Sequence, residues 1–168
     1  MVHTNQQLSD VFQINLAKWK RWSREFLPPD PVAGMQCGLA REYNEREAFT
    51  VYLGGYLVGS LKFSIPDARM ILNDLQKWFD KMDIYPLDIH DQKWSINIMQ
   101  GRNGFFYEAK KLLERKCIDE ETNIYREEYA LKLFETSDDT SDVDLLNVRK
   151  LHVSNLIEVF LNKLGMIA

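Results

Sequence analysis

The chain has 168 residues, 45% of them apolar and 27% charged, with a formal net charge of −4 at pH 7. This length suits one medium domain or two small ones, and the composition is ordinary for a globular protein. The negative balance argues against a protein that coats nucleic acid indiscriminately, so any basic surface must be local. The opening stretch MVHTNQQLSD has neither a basic n-region nor an apolar h-region, so no signal peptide is expected. No apolar run approaches the roughly 18–20 residues that span a bilayer, and no membrane partner is expected. Cys37 and Cys117 lack C-x-x-C spacing and are too few for a disulfide framework, which points to two reduced thiols in a cytoplasmic protein.

Leu8, Val11 and Phe12 have i, i+3, i+4 spacing, enough for one short helix. Asn15 is a good N-cap for the next, and so tight a junction suggests a helix-turn-helix. In that second helix Leu16, Trp19, Trp22 and Phe26 form an apolar stripe, flanked or opposed by Lys18, Lys20, Arg21 and Arg24. Pro28 and Pro29 stop it. Pro31 to Tyr43, with Gly34 and Gly38, reads as a loop or irregular hairpin. Asn44 caps a third helix, with Glu45 and Glu47 in its first turn and Ala48, Val51, Tyr52, Tyr56 and Leu57 on its buried face. Gly54-Gly55 weakens that helix, because each glycine costs about 1 kcal/mol relative to Ala in a helix interior. Ser64 opens a fourth helix with Pro66 in its first turn and the stripe Ile65, Ala68, Ile71, Leu72, Leu75 and Phe79. It ends near Met82, and Asp83 to Pro86 reads as a linker.

The pattern then changes. Trp94, Ile96 and Ile98 alternate as in a strand, and Gly101 to Gly104 reads as a turn. Phe105, Ala109, Leu112 and Leu113 have helical spacing, and Tyr125 to Thr136 alternates again. Ser137 to Asp144 reads as an acidic loop. A last helix is predicted from about Asn147 to Leu164, with Val148, Leu151, Leu156, Val159, Phe160 and Leu164 on one side.

Three segments, W-S-R-E-F-L-P-P, G-x-x-R-x-Y-N-E-R-E-A and V-G-S-L-K-F-S-I-P-D-A, occur in this order over about the first 80 residues. Together they resemble the DNA-binding domain of the MerR family. The resemblance puts Arg21 and Trp22 at the Arg-aromatic pair of the recognition helix, and Arg41 and Tyr43 at the end of the wing. It puts Ser64 at the start of the helix after the hinge-like Gly59. Metal-sensing members carry a cysteine cluster that this chain lacks, so no metal and no cofactor is implied.

A helix in the major groove can aim Arg at guanine O6 and N7, worth about 1–3 kcal/mol of discrimination, while Lys neutralises phosphates without reading sequence. Lys18, Arg21 and Lys20 are expected to face DNA, with Arg24 and Arg41 on the backbone and Tyr43 beside them in the wing. Trp22 reads as core. The alternative for the cationic group is a solvated helix face. Over residues 10–46, six cations stand against five carboxylates, a net +1, so dimerisation or DNA bending is expected to supply affinity. Enzyme signals are poor. His3, His90 and His152 are far apart, Asp88-Ile89-His90-Asp91 reads as a polar turn, and Ser154 has no G-x-S-x-G context. Residues 119–144 hold ten Asp/Glu against Arg126 and Lys132, which would repel phosphate and should face away from DNA.

The expected fold is therefore α+β: a MerR-like winged helix-turn-helix over residues 1–83, then a small α/β domain over 84–168 for dimerisation or for a small-molecule or protein effector. The expected function is a non-enzymatic, sequence-specific transcriptional regulator that binds double-stranded DNA as a homodimer. The alternatives are an excisionase-like architectural factor that bends DNA, and a protein-interaction module that has kept the fold without binding DNA.

Overall fold

The structure, a computed structural model, describes residues 2–30, 40–85, 87, 93–102, 104–135 and 144–166. It is mixed α+β, and the chain divides into two compact units, Met1–Asp88 with Val159–Ala168, and Ile89–Glu158. No described helix is long and apolar enough to cross a membrane.

The first unit begins with β1 (His3–Thr4), α1 (Asn5–Phe12) and α2 (Leu16–Phe26), followed by β2 (Glu42–Tyr43), α3 (Glu45–Gly59) and α4 (Ile65–Lys81). β1 and β2 pair antiparallel, His3 opposite Tyr43 and Thr4 opposite Glu42. The helix starts follow from side-chain chemistry. Thr4 and Gln7 form a reciprocal capping box at α1, and Asn44 and Glu47 form another at α3. Ser64 caps α4, with Pro66 in its first turn. Most of the predicted stripe residues are buried, namely Leu8 and Phe12, Trp19 and Trp22, and Ala68, Ile71, Leu72, Leu75 and Phe79, whereas Val11 is exposed and Leu16, Phe26 and Ile65 are half-buried. Phe12 stacks on Trp19 at 5.8 Å and on Phe160 at 5.3 Å.

The glycine pair in α3 does not break the helix, and the reason is packing. A Cβ on Gly54 would run into the Phe26 ring, and one on Gly55 into the Trp22 ring. The missing side chains let two aromatic residues of α2 lie directly on the α3 backbone, and their burial offsets the local propensity cost.

The second unit holds β3 (Lys93–Gln100), β4 (Phe105–Asp119), β5 (Ile124–Glu135) and β6 (Asp144–Leu151) in an antiparallel sheet of order β5-β4-β3-β6. Helix α5 (Val153–Lys163) follows, with its residues to Glu158 in this unit and those from Val159 in the first. Two sequence expectations are corrected here. Phe105 to Leu113 is strand, not helix: Ile96 pairs with Ala109 and Ile98 with Tyr107, so Phe105, Tyr107 and Ala109 are buried along one face. Phe105, Ala109 and Leu113 are four apart, a spacing that shares one side of a strand as well as one side of a helix, and hairpin pairing with the preceding β3 decides for the strand. Likewise residues 147–151 belong to β6, with Leu151 opposite Ile96, and the helix starts only at Val153. Val148 and Val159, assigned above to a buried stripe, are 42% and 43% exposed. The Tyr125 to Thr136 alternation is strand as read, through Glu135. Asp88 to Asp91, most of the Pro31 to Tyr43 loop and the loop after Thr136 lie outside the described residues.

Candidate nucleic-acid interface

The site is built on the junction of α1 and α2. Gln13 takes the left-handed conformation (φ 55°), its amide bonding back to the Ser9 and Asp10 carbonyls, and Asn15 restarts the helix. The Asn15 carboxamide oxygen accepts from the Ala17 and Lys18 amides at 2.9 and 3.3 Å. Three residues thus turn the chain between two helices, each end satisfied by its own polar groups.

Rotation along α2 at 100° per residue then sorts the side chains. Trp19, Trp22 and Ser23 go inward. Ala17, Lys20, Arg21 and Arg24, spaced i, i+3, i+4 and i+7, go outward and are exposed. Lys18 is exposed on the flank, its ammonium 5.0 Å from the centre of the Trp22 ring. Among the described residues no ion pair holds Lys18, Lys20, Arg21 or Arg24. Glu25 is the one carboxylate within the helix and stands one turn from Arg21, but it pairs with Arg69 of α4.

Arg41 and Tyr43 are used differently. The Arg41 side chain is 13% exposed. Its guanidinium donates to the Pro28 carbonyl at 2.8 Å and to the Glu47 carboxylate at 3.3 Å, and lies over the Tyr43 ring. Tyr43 is 1% exposed. Its hydroxyl is 2.6 Å from Asn5 Oδ1 and 2.7 Å from Ser23 Oγ. The Asn5 oxygen can only accept, so the single phenolic proton goes there and Ser23 donates in turn. Tyr43 is therefore a core residue that fastens β2 to α1 and α2, and with Arg41 it also borders a surface hollow of about 540 Å³. Arg41 ties the chain after α2 to the start of α3.

Two hollows border this face, of about 580 and 540 Å³, and both are lined by Asn5, Lys20 and Arg41. Lys20 stands between them. Sequence reasoning missed Ala17, whose small side chain at the N-terminal end of the outward face leaves room for close approach of the helix to a partner. The i, i+3, i+4, i+7 relation of Ala17 to the cations could have revealed it. It also missed Glu47, which caps α3 with one carboxylate oxygen and holds Arg41 with the other.

Among the described residues no group of three His, Cys, Asp or Glu is arranged to hold a metal ion. Cys117 is exposed on β4, and Cys37 lies outside the described residues. A scan against protein-family models and a search of curated proteins each gave no match to the chain.

Proposed function

We propose that this chain is a sequence-specific, MerR-like winged helix-turn-helix regulator that binds double-stranded DNA as a homodimer in the cytoplasm and acts without catalysis. The observation that carries the reading is the outward face of α2: Lys20, Arg21 and Arg24 exposed in the turns after Ala17, none of them in an ion pair with a described residue. A short α1, a three-residue turn and a cationic α2 have the proportions of a helix that enters a major groove. In this reading Arg21 reads a guanine edge, while Lys20, Arg24 and the flanking Lys18 neutralise phosphates. Arg41 and Tyr43 hold the frame beside this face and border the hollow next to it. The net charge of +1 over residues 10–46 is too slight for strong binding by one copy, which is why a dimer belongs to the proposal. The second unit would supply dimerisation or an effector site.

The internal engagement of Arg41 and Tyr43 favours one second reading, a protein-interaction module that keeps this fold without binding DNA. Selection from random duplex DNA, followed by affinity against salt, separates the two. The regulator reading expects an enriched sequence and loss of preference with Arg21→Ala. It also expects a salt slope shallower by about 0.9 with Lys18→Ala or Lys20→Ala, one phosphate contact each. No enrichment, and affinity indifferent to all three side chains, would leave the interaction module.

A further inference from the structure

The β4–β5 hairpin outruns its sheet. β3 accompanies β4 only as far as the Lys93–Leu112 pair, and beyond it β4 pairs, among the described residues, with β5 alone. From Leu113 to Glu128 every residue except Asp119 is exposed, including Leu113, Ile118, Ile124 and Tyr125 at 44–64%. A two-stranded ribbon with water on both faces is marginal on its own.

Its two faces are built differently. Register puts Arg115 opposite Glu127 and Cys117 opposite Tyr125 on one of them. That face satisfies itself: Arg115 pairs with Glu127 at 3.4 Å and lies 4.1 Å over the Tyr125 ring. On the other face Glu114 stands opposite Glu128, and Lys116 opposite Arg126. Like charges directly across an antiparallel pair are destabilising. Each charge instead finds its partner along its own strand, Lys116 to Glu114 at 3.0 Å and Arg126 to Glu128 at 3.6 Å. The result is a row of two carboxylates beside a row of two cations, separated by two residues, or about 7 Å, along the ribbon.

That pattern is complementary to itself. We propose that this face of the ribbon is a two-fold self-association surface whose partner is the same face of a second copy. With the axis between the faces and at right angles to the strands, the ribbons run antiparallel. The Glu114/Glu128 row of one copy then meets the Lys116/Arg126 row of the other, twice over. A two-fold axis along the strands would set acid on acid, so only the antiparallel arrangement is favourable. The surface serves the dimer invoked for DNA binding, and it is tested without DNA, so its failure is separate from failure of that reading.

Sedimentation of the full chain over a concentration series is the test. The wild type associates to a dimer in about 0.02 M salt, with a dissociation constant rising about tenfold or more by about 0.5 M. Glu114→Lys with Glu128→Lys makes the face wholly basic, and Lys116→Glu with Arg126→Glu makes it wholly acidic. Each variant alone is monomeric, and an equimolar mixture of the two forms a heterodimer. Glu114→Gln with Glu128→Gln, which keeps the shape, weakens association and flattens its salt dependence. A wild type monomeric at low salt overturns the proposal. So does a reversed variant that dimerises as the wild type does, or a mixture of folded reversed variants, checked by circular dichroism, that stays monomeric.

Discussion

The Glu25 carboxylate, one helical turn beyond Arg21 on α2, is held by the Arg69 guanidinium of α4. The pair turns the only acid in the α2 sequence away from the outward cations, and α4 thereby helps set the charge of a surface it does not share.

Arg69→Ala releases Glu25 to neutralise Arg21, so affinity for the selected duplex should fall, while Glu25→Gln should raise it. The pair is largely solvated, with Arg69 55% exposed, so the stability change should stay within about 1 kcal/mol. Fluorescence anisotropy for binding and thermal melts for stability distinguish this from unfolding. Equal DNA affinity in all three proteins would contradict the assigned role.

Glycine positions in α3 should respond in opposite directions. Gly55→Ala drives a methyl group into the Trp22 ring and should destabilise by about 1–3 kcal/mol. Gly59→Ala meets nothing within 4 Å and should be neutral or stabilising by up to about 1 kcal/mol. Denaturant midpoints for the two variants settle the contrast.

Tyr43→Phe removes the hydroxyl shared by Asn5 and Ser23 and should cost about 1–2 kcal/mol. Well below the melting temperature its DNA affinity should match the wild type. A large loss of affinity in a fully folded variant would mean that Tyr43 meets the ligand after all.

Tyr85 supplies a pH signature. Burial pushes its phenol from 10.0 up to about 12, against opposing effects of Gln76, Arg46 and Thr50. The Arg46 guanidinium lies 4.4 Å over its ring and is itself paired with Asp80 at 2.9 Å. The folded chain holds this proton to higher pH than the unfolded chain. Its contribution is therefore complete below pH 10 and is lost as pH rises toward 12. The amount is about 3 kcal/mol at most. Tyr85→Phe should show a shallower fall in melting temperature across that interval than the wild type, and parallel curves would disprove the linkage.

The first unit was readable because its signals are local. Asn15, Asn44 and Ser64 sit at helix starts, and spacing alone turned Trp19, Trp22, Ile71 and Leu75 inward. The second unit was misread at two places, for different reasons. The strand alternation of Trp94, Ile96 and Ile98 and the turn read at Gly101 to Gly104 stand directly before Phe105 and signal a hairpin that helical spacing masked. Nothing near Val148, by contrast, announces pairing with β3, far earlier in the chain. The candidate surface divides in the same way. Helical rotation sorts Lys20, Arg21 and Arg24 outward, but only the folded chain shows that Arg41 spends its donors on Pro28 and Glu47. Tyr43 is similar: aromatic residues are ambiguous between core and contact until their polar atom is followed to its partners.

The bond from Arg41 to the Pro28 carbonyl has a bearing on how the chain can vary. It fastens the two ends of the intervening segment to each other, so the helices on either side do not depend on how much chain lies between. For such a closed span, doubling the length costs only about 0.6 kcal/mol of closure entropy. Relatives of this protein, or engineered versions of it, can therefore lengthen or shorten that span and keep the same helix pair, provided the arginine and its carbonyl remain.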